Sequence, residues 1–466
     1  MTENRKGRWF KPWVLLFGAT LVLILLVGVW PQGIAAVEGA VPPIESTLPT
    51  SCISPTSGPH HYKLAASPET VHWGFYSKNL DPLVTVNSQD YVTLETITHH
   101  AGDDYERMAT GDPAIESIYH WTADEKTVSD RGPGVHILTG PVYVCGAEPG
   151  DLLEVRVIDL KLRPSGNPLY EGKAFGSNAA AWWGFQYDNL IEDPKPREVI
   201  TIYEMDATGA ENWAEAVYRY QWTPQTSPDG TLHETIDYPG IIVDPATVTK
   251  IDETLDGVKI PLRLHMGSMG VAPSEADMVD SIPPSYFGGN IDNRNIGIGT
   301  TMYYPVAVPG ALFSAGDAHA SQGDGELDGT AIETSMDGIF QFVLHKQADL
   351  AGTILEGVNY PLLETPEAWI VHGFTYPNYL EALGDEAQSK IYELSSLDPA
   401  LKDSSAKMRD FLMNGMTMSE DEAFSLMTVG ADFAITQVVD GNWGVHGIIP
   451  KGIFAAENVK PKPSAG

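Results

Sequence analysis

Glycine and proline break this chain into short apolar runs, and that constrains its fold more than any other feature. With 45 Gly and 34 Pro in 466 residues, few stretches run long enough for a helix. Proline removes a backbone donor, and glycine is entropically costly inside a regular element. Between the breaks, residues alternate with period two or are rich in β-branched and aromatic types, as strands require. PLVTVNSQDYVTLETI (82–97) reads as two short strands around a polar turn. GPVYVCGAEPGDLLEVRVIDLKL (140–162) reads as a strand, an EPGD turn and a strand, and REVITIYEMD (197–206) and VTKIDETLDGVKIPLRLHMG (248–267) continue the pattern. TMYYPVAVPGALFSAGDAH (301–319) reads as a strand, a Pro-Gly turn and a strand. The 11 Trp, 19 Tyr and 14 Phe need a core, which excludes disorder for the body. The expected class is mainly β, α+β overall.

Helical patterns come late. SSAKMRDFLMN (404–414) places Met408, Phe411 and Leu412 on one face. MSEDEAFSLMTVG (418–430) opens with Ser419 and Glu422, spaced as a capping box, and ends at Gly430. A β run follows in FAITQVVDGNWGVHGIIP (433–450).

The N-terminus reads as a separate element. Arg5, Lys6, Arg8 and Lys11 precede the apolar run WVLLFGATLVLILLVGVW (13–30), which as a helix would rise about 27 Å, close to the hydrocarbon thickness. It exceeds the usual signal-peptide core, so residues 1–36 read as an uncleaved signal-anchor in preference to a cleaved signal. Residues 37–59 read as a linker, 60–455 as the exported body and 456–466 as a disordered tail. The expected location is periplasmic or extracellular, with a tether to the inner membrane if the anchor is kept. An exported compartment permits a Cys52–Cys145 disulfide. Within VYVCGA, however, Cys145 reads as a small buried thiol. The net charge of −34 argues against nucleic acid and anionic lipid as partners. Membrane contact is expected through the N-terminal segment only. A neutral or cationic small substrate, or a divalent cation, suits such a surface.

Residues 316–333, GDAHASQGDGELDGTAIE, hold Asp317, His319, Asp324, Glu326, Asp328 and Glu333 among glycines and alanines. If AGDAHA ends a strand, Asp317 and His319 share a face and form half of a metal site. Carboxylates crowded without lysines are costly unless a cation offsets them or one stays protonated. Both outcomes have catalytic uses. The bland alternative is a solvated acidic turn. Further candidates are His72 in VHWGF, His99 and His100 in THHAGDD beside Asp103 and Asp104, His136 in GVHILTGP, His265 in RLHMGSMG, Asp292 in GGNIDNRN and Glu95 in YVTLET. For each, a satisfied buried or turn-capping role is the competing reading. Adjacent histidines on a strand point oppositely, so only one of His99 and His100 reaches a given ion unless the chain turns there. Neither cysteine has a thiolate-stabilising setting, and HMGSMG around Ser268 lacks the spacing of a nucleophile elbow.

GALFSAGDAHASQGDGELDGTAIE resembles the signature of the acetamidase/formamidase family. Stretches 134–160, 265–273, 287–313 and 419–440 match the same family in the same order, so the resemblance covers roughly residues 60–455. It implies β-sandwich and barrel-like sheets with a few C-terminal helices, a homo-oligomer, and hydrolysis of short aliphatic amides to carboxylate and ammonia. The N-terminal segment is extra to the family, and AWWGFQY (181–187) and EAWIVHGFTY (367–376) add aromatics that would reshape a pocket. The expected site has a divalent metal, zinc with calcium as the alternative, held by Asp317 and His319 with ligands from His136, His99 or His72. Glu326 or Glu333 serves as general base, and Asp324 orients the assembly or holds a second cation. The rival expectation is an exported, non-catalytic binding or scaffolding module with a structural calcium site on the amidase fold.

Overall fold

The computed structural model describes residues 40–52, 58–124, 131–192, 197–227, 230–238 and 240–464. The expected signal-anchor lies outside these residues.

Two large sheets carry the body. The first has nine strands in the order His61–Leu64, Tyr91–Thr96, Met336–His345, Leu152–Leu162, Thr301–Pro305, Leu362–Glu364, Ala368–Phe374, Gly444–Pro450 and Asp432–Gln437. The second has eleven. Its path runs Ile260–Pro261, Trp213–Gln221, Val199–Asp206, Lys173–Ala180, Glu333–Thr334, Phe313–His319, His265–Gly270 and Gly288–Asn290, with Val71–Trp73, Val84–Val86 and Ile137–Val144 joined at its side. The mainly β expectation holds, but three expected strand-turn-strand units do not pair, Val84–Val86 and Tyr91–Thr96 being the first. Ile137–Val144 and Leu152–Leu162 lie in different sheets, and so do Thr301–Pro305 and Phe313–His319. The EPGD and Pro-Gly turns therefore cross between sheets. Residues 248–258 form turns with one bridge at Ile251, not a strand.

A core of Val84, Leu138, Val155, Phe313 and Phe340 joins strands of both sheets. The helix Leu397–Gly415 is longer than expected and buries Met408, Phe411 and Leu412 in a separate cluster with Trp369 and Ile449. Each such side chain contributes about 1.5–3 kcal/mol by burial. Trp369 is thus core, and EAWIVHGFTY does not reshape a pocket through it. The helix Glu420–Gly430 carries the expected capping box. Helix Pro113–Asp124 was not foreseen, although its start is legible. The Asp112 carboxylate accepts from the Ala114 and Ile115 amides at 3.0 and 3.2 Å, and Pro113 sits at the first helical position.

The ends of the body are tied down. In the expected linker, the Glu45 amide donates to the His61 carbonyl at 2.7 Å and the Thr85 amide to the Pro49 carbonyl at 2.8 Å. Cys52 is bonded to Cys145 with Cα atoms 5.7 Å apart. Cys145 lies one residue past the end of its strand, so its side chain faces the incoming segment and is not a buried thiol. The expected disordered tail is also anchored: Lys462 pairs with Glu364 at 2.7 Å and the Ile354 amide donates to the Pro461 carbonyl at 2.9 Å.

Candidate active site

Three neighbouring strands set a row of titratable groups. In strand Phe313–His319, His319 is in register with His265 on one side and with Glu333 on the other. His319 Nε2 lies 3.2 Å from Glu333 Oε1, 3.2 Å from Asp317 Oδ2 and 3.8 Å from Asp292 Oδ1. The expected pairing of Asp317 and His319 on one face is therefore observed. His319 Nδ1 points the other way, 3.1 Å from Gln322 Oε1 and 3.1 Å from His265 Nε2. Gln322 in turn donates to the Asp292 carbonyl at 2.7 Å. His265 is thus a positioning neighbour of His319, its Nδ1 donating to the Arg263 carbonyl at 2.6 Å.

The remaining groups come from loops. The chain turns after Thr96, and this separates the two adjacent histidines. His99 places Nδ1 3.9 Å from Asp317 Oδ1, while His100 bonds Asp103 at 2.9 Å in a buried network with Ser177 and Tyr238. His136 Nε2 lies 3.6 Å from Asp317 Oδ2, and its Nδ1 lies 2.9 Å from the Ser281 hydroxyl. Asn290 donates to Asp292 at 2.7 Å. Asp440, beyond strand Asp432–Gln437, brings a carboxylate oxygen within 4.8 Å of those of Asp292 and Glu326.

Three of these carboxylates sit in left-handed backbone: Asp292 at φ 53°, Asp317 at φ 54° and Glu326 at φ 46°. Such conformations cost non-glycine residues energy and persist where the surroundings impose them, typically at functional sites. The opposite strand contributes space. Gly267 falls in register opposite Asp317, and a Cβ there would come within 2.5 Å of Asp292 Oδ1, Asp317 Oδ2 and His319 Cε1.

The electrostatics are strained in the same place. Burial pushes Glu333 up to about 7, with His319 opposing and Asp317 adding. Burial, then Asp292, raises Glu326 well above the carboxylate range. Burial followed by Asp292 and Glu326 does the same to Asp440. Asp317 is held well below that range because His136 and His319 outweigh its burial. Glu333 and Asp317 likewise outweigh burial at His319 and raise it well above the usual imidazole range. Burial, then His100 and His136, lowers His99.

The residues fit a divalent cation. His99 Nδ1, Asp292 Oδ1, Asp317 Oδ1, Glu326 Oε2, Glu333 Oε2 and Asp440 Oδ2 are buried with no hydrogen-bond partner, and orphaned buried polar atoms of this kind are rare. Four overlapping groups have ligand atoms within 4.8 Å of one another: His99, His136 and Asp317; Asp292, Asp317 and His319; His319, Glu326 and Glu333; Asp292, Glu326 and Asp440. His99, His136, Asp292, Asp317, Glu326, Glu333 and Asp440 all line a cavity of about 720 Å³.

Two expected members lie elsewhere. Asp324 forms an ion pair with Arg294 at 2.8 Å, its side chain 31% exposed. Glycines on both sides of Asp324 let the loop swing it outward, while Glu326 two residues on turns in. His72 has both ring nitrogens occupied, at 2.6 Å from the Phe75 carbonyl and 2.9 Å from the Ser314 hydroxyl. Glu95 is buried but paired with Lys63 at 2.7 Å and Arg163 at 3.1 Å. Asp328 accepts from Asn178 at 3.1 Å. Asp440 was missed. Its one signal is an acid directly after the apolar pair Val438 and Val439.

The chain belongs to the acetamidase/formamidase family, whose model it matches over residues 122–281 and 275–456. It is 32% identical over 213 residues to an acetamidase of Mycolicibacterium smegmatis, spanning 41% of this chain and 49% of that protein. It is 29% identical over 207 residues to a formamidase of Methylophilus methylotrophus, spanning 41% and 47%. The match therefore spans about half the length of these curated relatives. Solved structures show the same fold. An acetamidase from Bacillus halodurans aligns with TM-score 0.55 at 21% identity, over 84% of this chain and 98% of its own. One from Yersinia enterocolitica aligns with TM-score 0.57 at 20% identity, over 85% and 94%.

Proposed function

We propose that this protein hydrolyses the carbon–nitrogen bond of primary amides to carboxylate and ammonia. One observation carries the reading: buried imidazoles and unpartnered carboxylates of opposed proton affinity converge on the wall of one cavity in a body of the acetamidase/formamidase family. The curated relatives named acetamidase and formamidase support the reaction class.

His99, His136 and Asp317, with His319 behind them, would hold a divalent cation. Their mixed nitrogen and carboxylate donors suit zinc, whereas the all-oxygen trio Asp292, Glu326 and Asp440 suits a harder ion such as calcium. A cation bound there supplies Lewis-acid character to an amide carbonyl and acidity to a water.

The chain's own groups move the protons. Glu333, poised near 7, both takes and returns a proton at neutral pH. Its Oε1 accepts from the Ala331 amide at 2.9 Å, which leaves Oε2 for the reaction. Glu333 accepts the proton of the attacking water and delivers it to the amide nitrogen as the C–N bond breaks, so ammonia leaves. His319 orients Glu333 and Asp317 from behind, fixed by Gln322 and His265. The Cys52–Cys145 bond supports an oxidising compartment, and we place the body outside the cytoplasm, held by the N-terminal segment.

Ammonia release from a primary-amide panel tests the reaction. Glu333→Gln keeps shape but not proton transfer, and is expected to lower kcat by about 10²–10⁴. An unchanged kcat would remove Glu333 from the mechanism.

A further inference from the structure

We infer that the substrate is an amide with a bulky aromatic acyl group that carries no negative charge, rather than formamide or acetamide. This rests on the amidase reading and names its substrate class.

Size is the first observation. By the measure that gives water about 30 Å³, the four heavy atoms of acetamide fill on the order of 100 Å³. The cavity holds about 720 Å³, which is in the range of sites for far larger ligands. Acetamide at the acidic end would leave most of the space to water.

The second observation is the wall. AWWGFQY delivers Trp182, Trp183 and Phe185 to the cavity, and Trp443, Ile282 and Val439 face it from other elements. These rings are held in place. The Trp183 indole donates to the Gly329 carbonyl at 3.1 Å and that of Trp182 to the Ile236 carbonyl at 3.2 Å. Phe185 meets Trp443 edge-on at 6.2 Å. Gly329 lies on the loop between Glu326 and Glu333, so the wall is joined to the reacting end. Trp182 is nonetheless 50% exposed, an apolar ring kept at a wet surface. A preorganised aromatic wall loses little entropy on binding a flat apolar group.

The third observation is charge. The described lining includes Asp188, Asp237 and Asp280 besides the acids of the candidate site, and neither lysine nor arginine. A carboxylate on the acyl group, held at the aromatic wall away from the cation-holding residues, would meet these acids with no described lysine or arginine beside it.

The test is kcat/KM for ammonia release from acetamide, phenylacetamide and 4-carboxyphenylacetamide at low ionic strength, using the disulfide-bonded, metal-loaded protein. Remote binding energy appears in kcat/KM. Phenylacetamide is expected to exceed acetamide at least tenfold and to exceed its carboxylated derivative at least tenfold. Trp182→Ala should lower the phenylacetamide-to-acetamide ratio about tenfold, mainly through KM. Acetamide turned over as well as phenylacetamide overturns the inference and leaves the amidase reading standing. Equal rates for the neutral and carboxylated amides overturn the charge argument. If no amide is turned over, the amidase reading falls, and tryptophan fluorescence decides the wall separately. Quenching by phenylacetamide but not by its carboxylated derivative supports it, and no quenching overturns it.

Discussion

Gly267→Ala probes the cation site with the smallest possible change. Gly267 has ordinary strand backbone, so its role is space, not conformation. An added Cβ would sit 2.5 Å from Asp292 Oδ1, Asp317 Oδ2 and His319 Cε1, against the 3.4–4 Å of ordinary contact. Relief requires each of three candidate ligand side chains to retreat by about 1 Å, a displacement that can cost roughly 10²-fold in rate. Overpacking should cost only about 1–3 kcal/mol of stability, a fall of a few degrees in Tm for a chain of this size. The expected result is a folded protein with substoichiometric metal and kcat/KM down at least about a hundredfold. Metal content by elemental analysis, ammonia release and a thermal melt on one preparation measure all three. Gly452→Ala is the control, since a Cβ there meets nothing within 4 Å. Wild-type metal and rate in Gly267→Ala would refute the assigned ligand set. Outright unfolding would also contradict it, because the contacts are too few to cost that much.

Two further predictions concern stability. Burial lowers His72 to about 4 and His372 to about 3, and both are held neutral. Asn293 donates to His372 Nε2 at 2.9 Å while Nδ1 donates to the Pro361 carbonyl at 3.0 Å, so a second proton has no acceptor. Below pH 6.5 the unfolded chain binds protons that the native chain does not. Their stabilising effect, complete above 6.5, is therefore lost as pH falls, by about 3 kcal/mol each at pH 4. Denaturant melts from pH 7 to 4 check this, and flat stability across that window would contradict it. Cys52→Ser opens a loop spanning 93 residues and should cost roughly 2–4 kcal/mol. An unchanged denaturant midpoint would contradict that.

Some of the fold and site is legible in local pattern, and some is not. Alternation and the Gly and Pro breaks locate strands such as Leu152–Leu162, Val199–Asp206 and Phe313–His319, because side-chain period reports burial directly, but they do not locate Lys173–Ala180, Trp213–Gln221 and Met336–His345. They do not report which sheet a strand joins, so Leu152–Leu162 follows its turn into the other sheet unannounced. Asp317 and His319 are visible as a pair because two residues on one strand share a face. Asp292 and Asp440 arrive from loops in conformations set by tertiary contacts, and only the three-dimensional fold places them within reach of Glu326. Asp324 shows the opposite failure. It looks equivalent to Glu326 in QGDGE, yet one faces Arg294 and solvent while the other is buried. His99 could be told from His100 only by knowing that the strand ends at Thr96.

The most direct test is metal content and ammonia release measured together, before and after chelation and again after readdition of zinc. At least one divalent cation per chain, with activity lost on its removal and regained on its return, is the expected result. A metal-free protein that releases ammonia from its amide at an undiminished rate would contradict the assigned site.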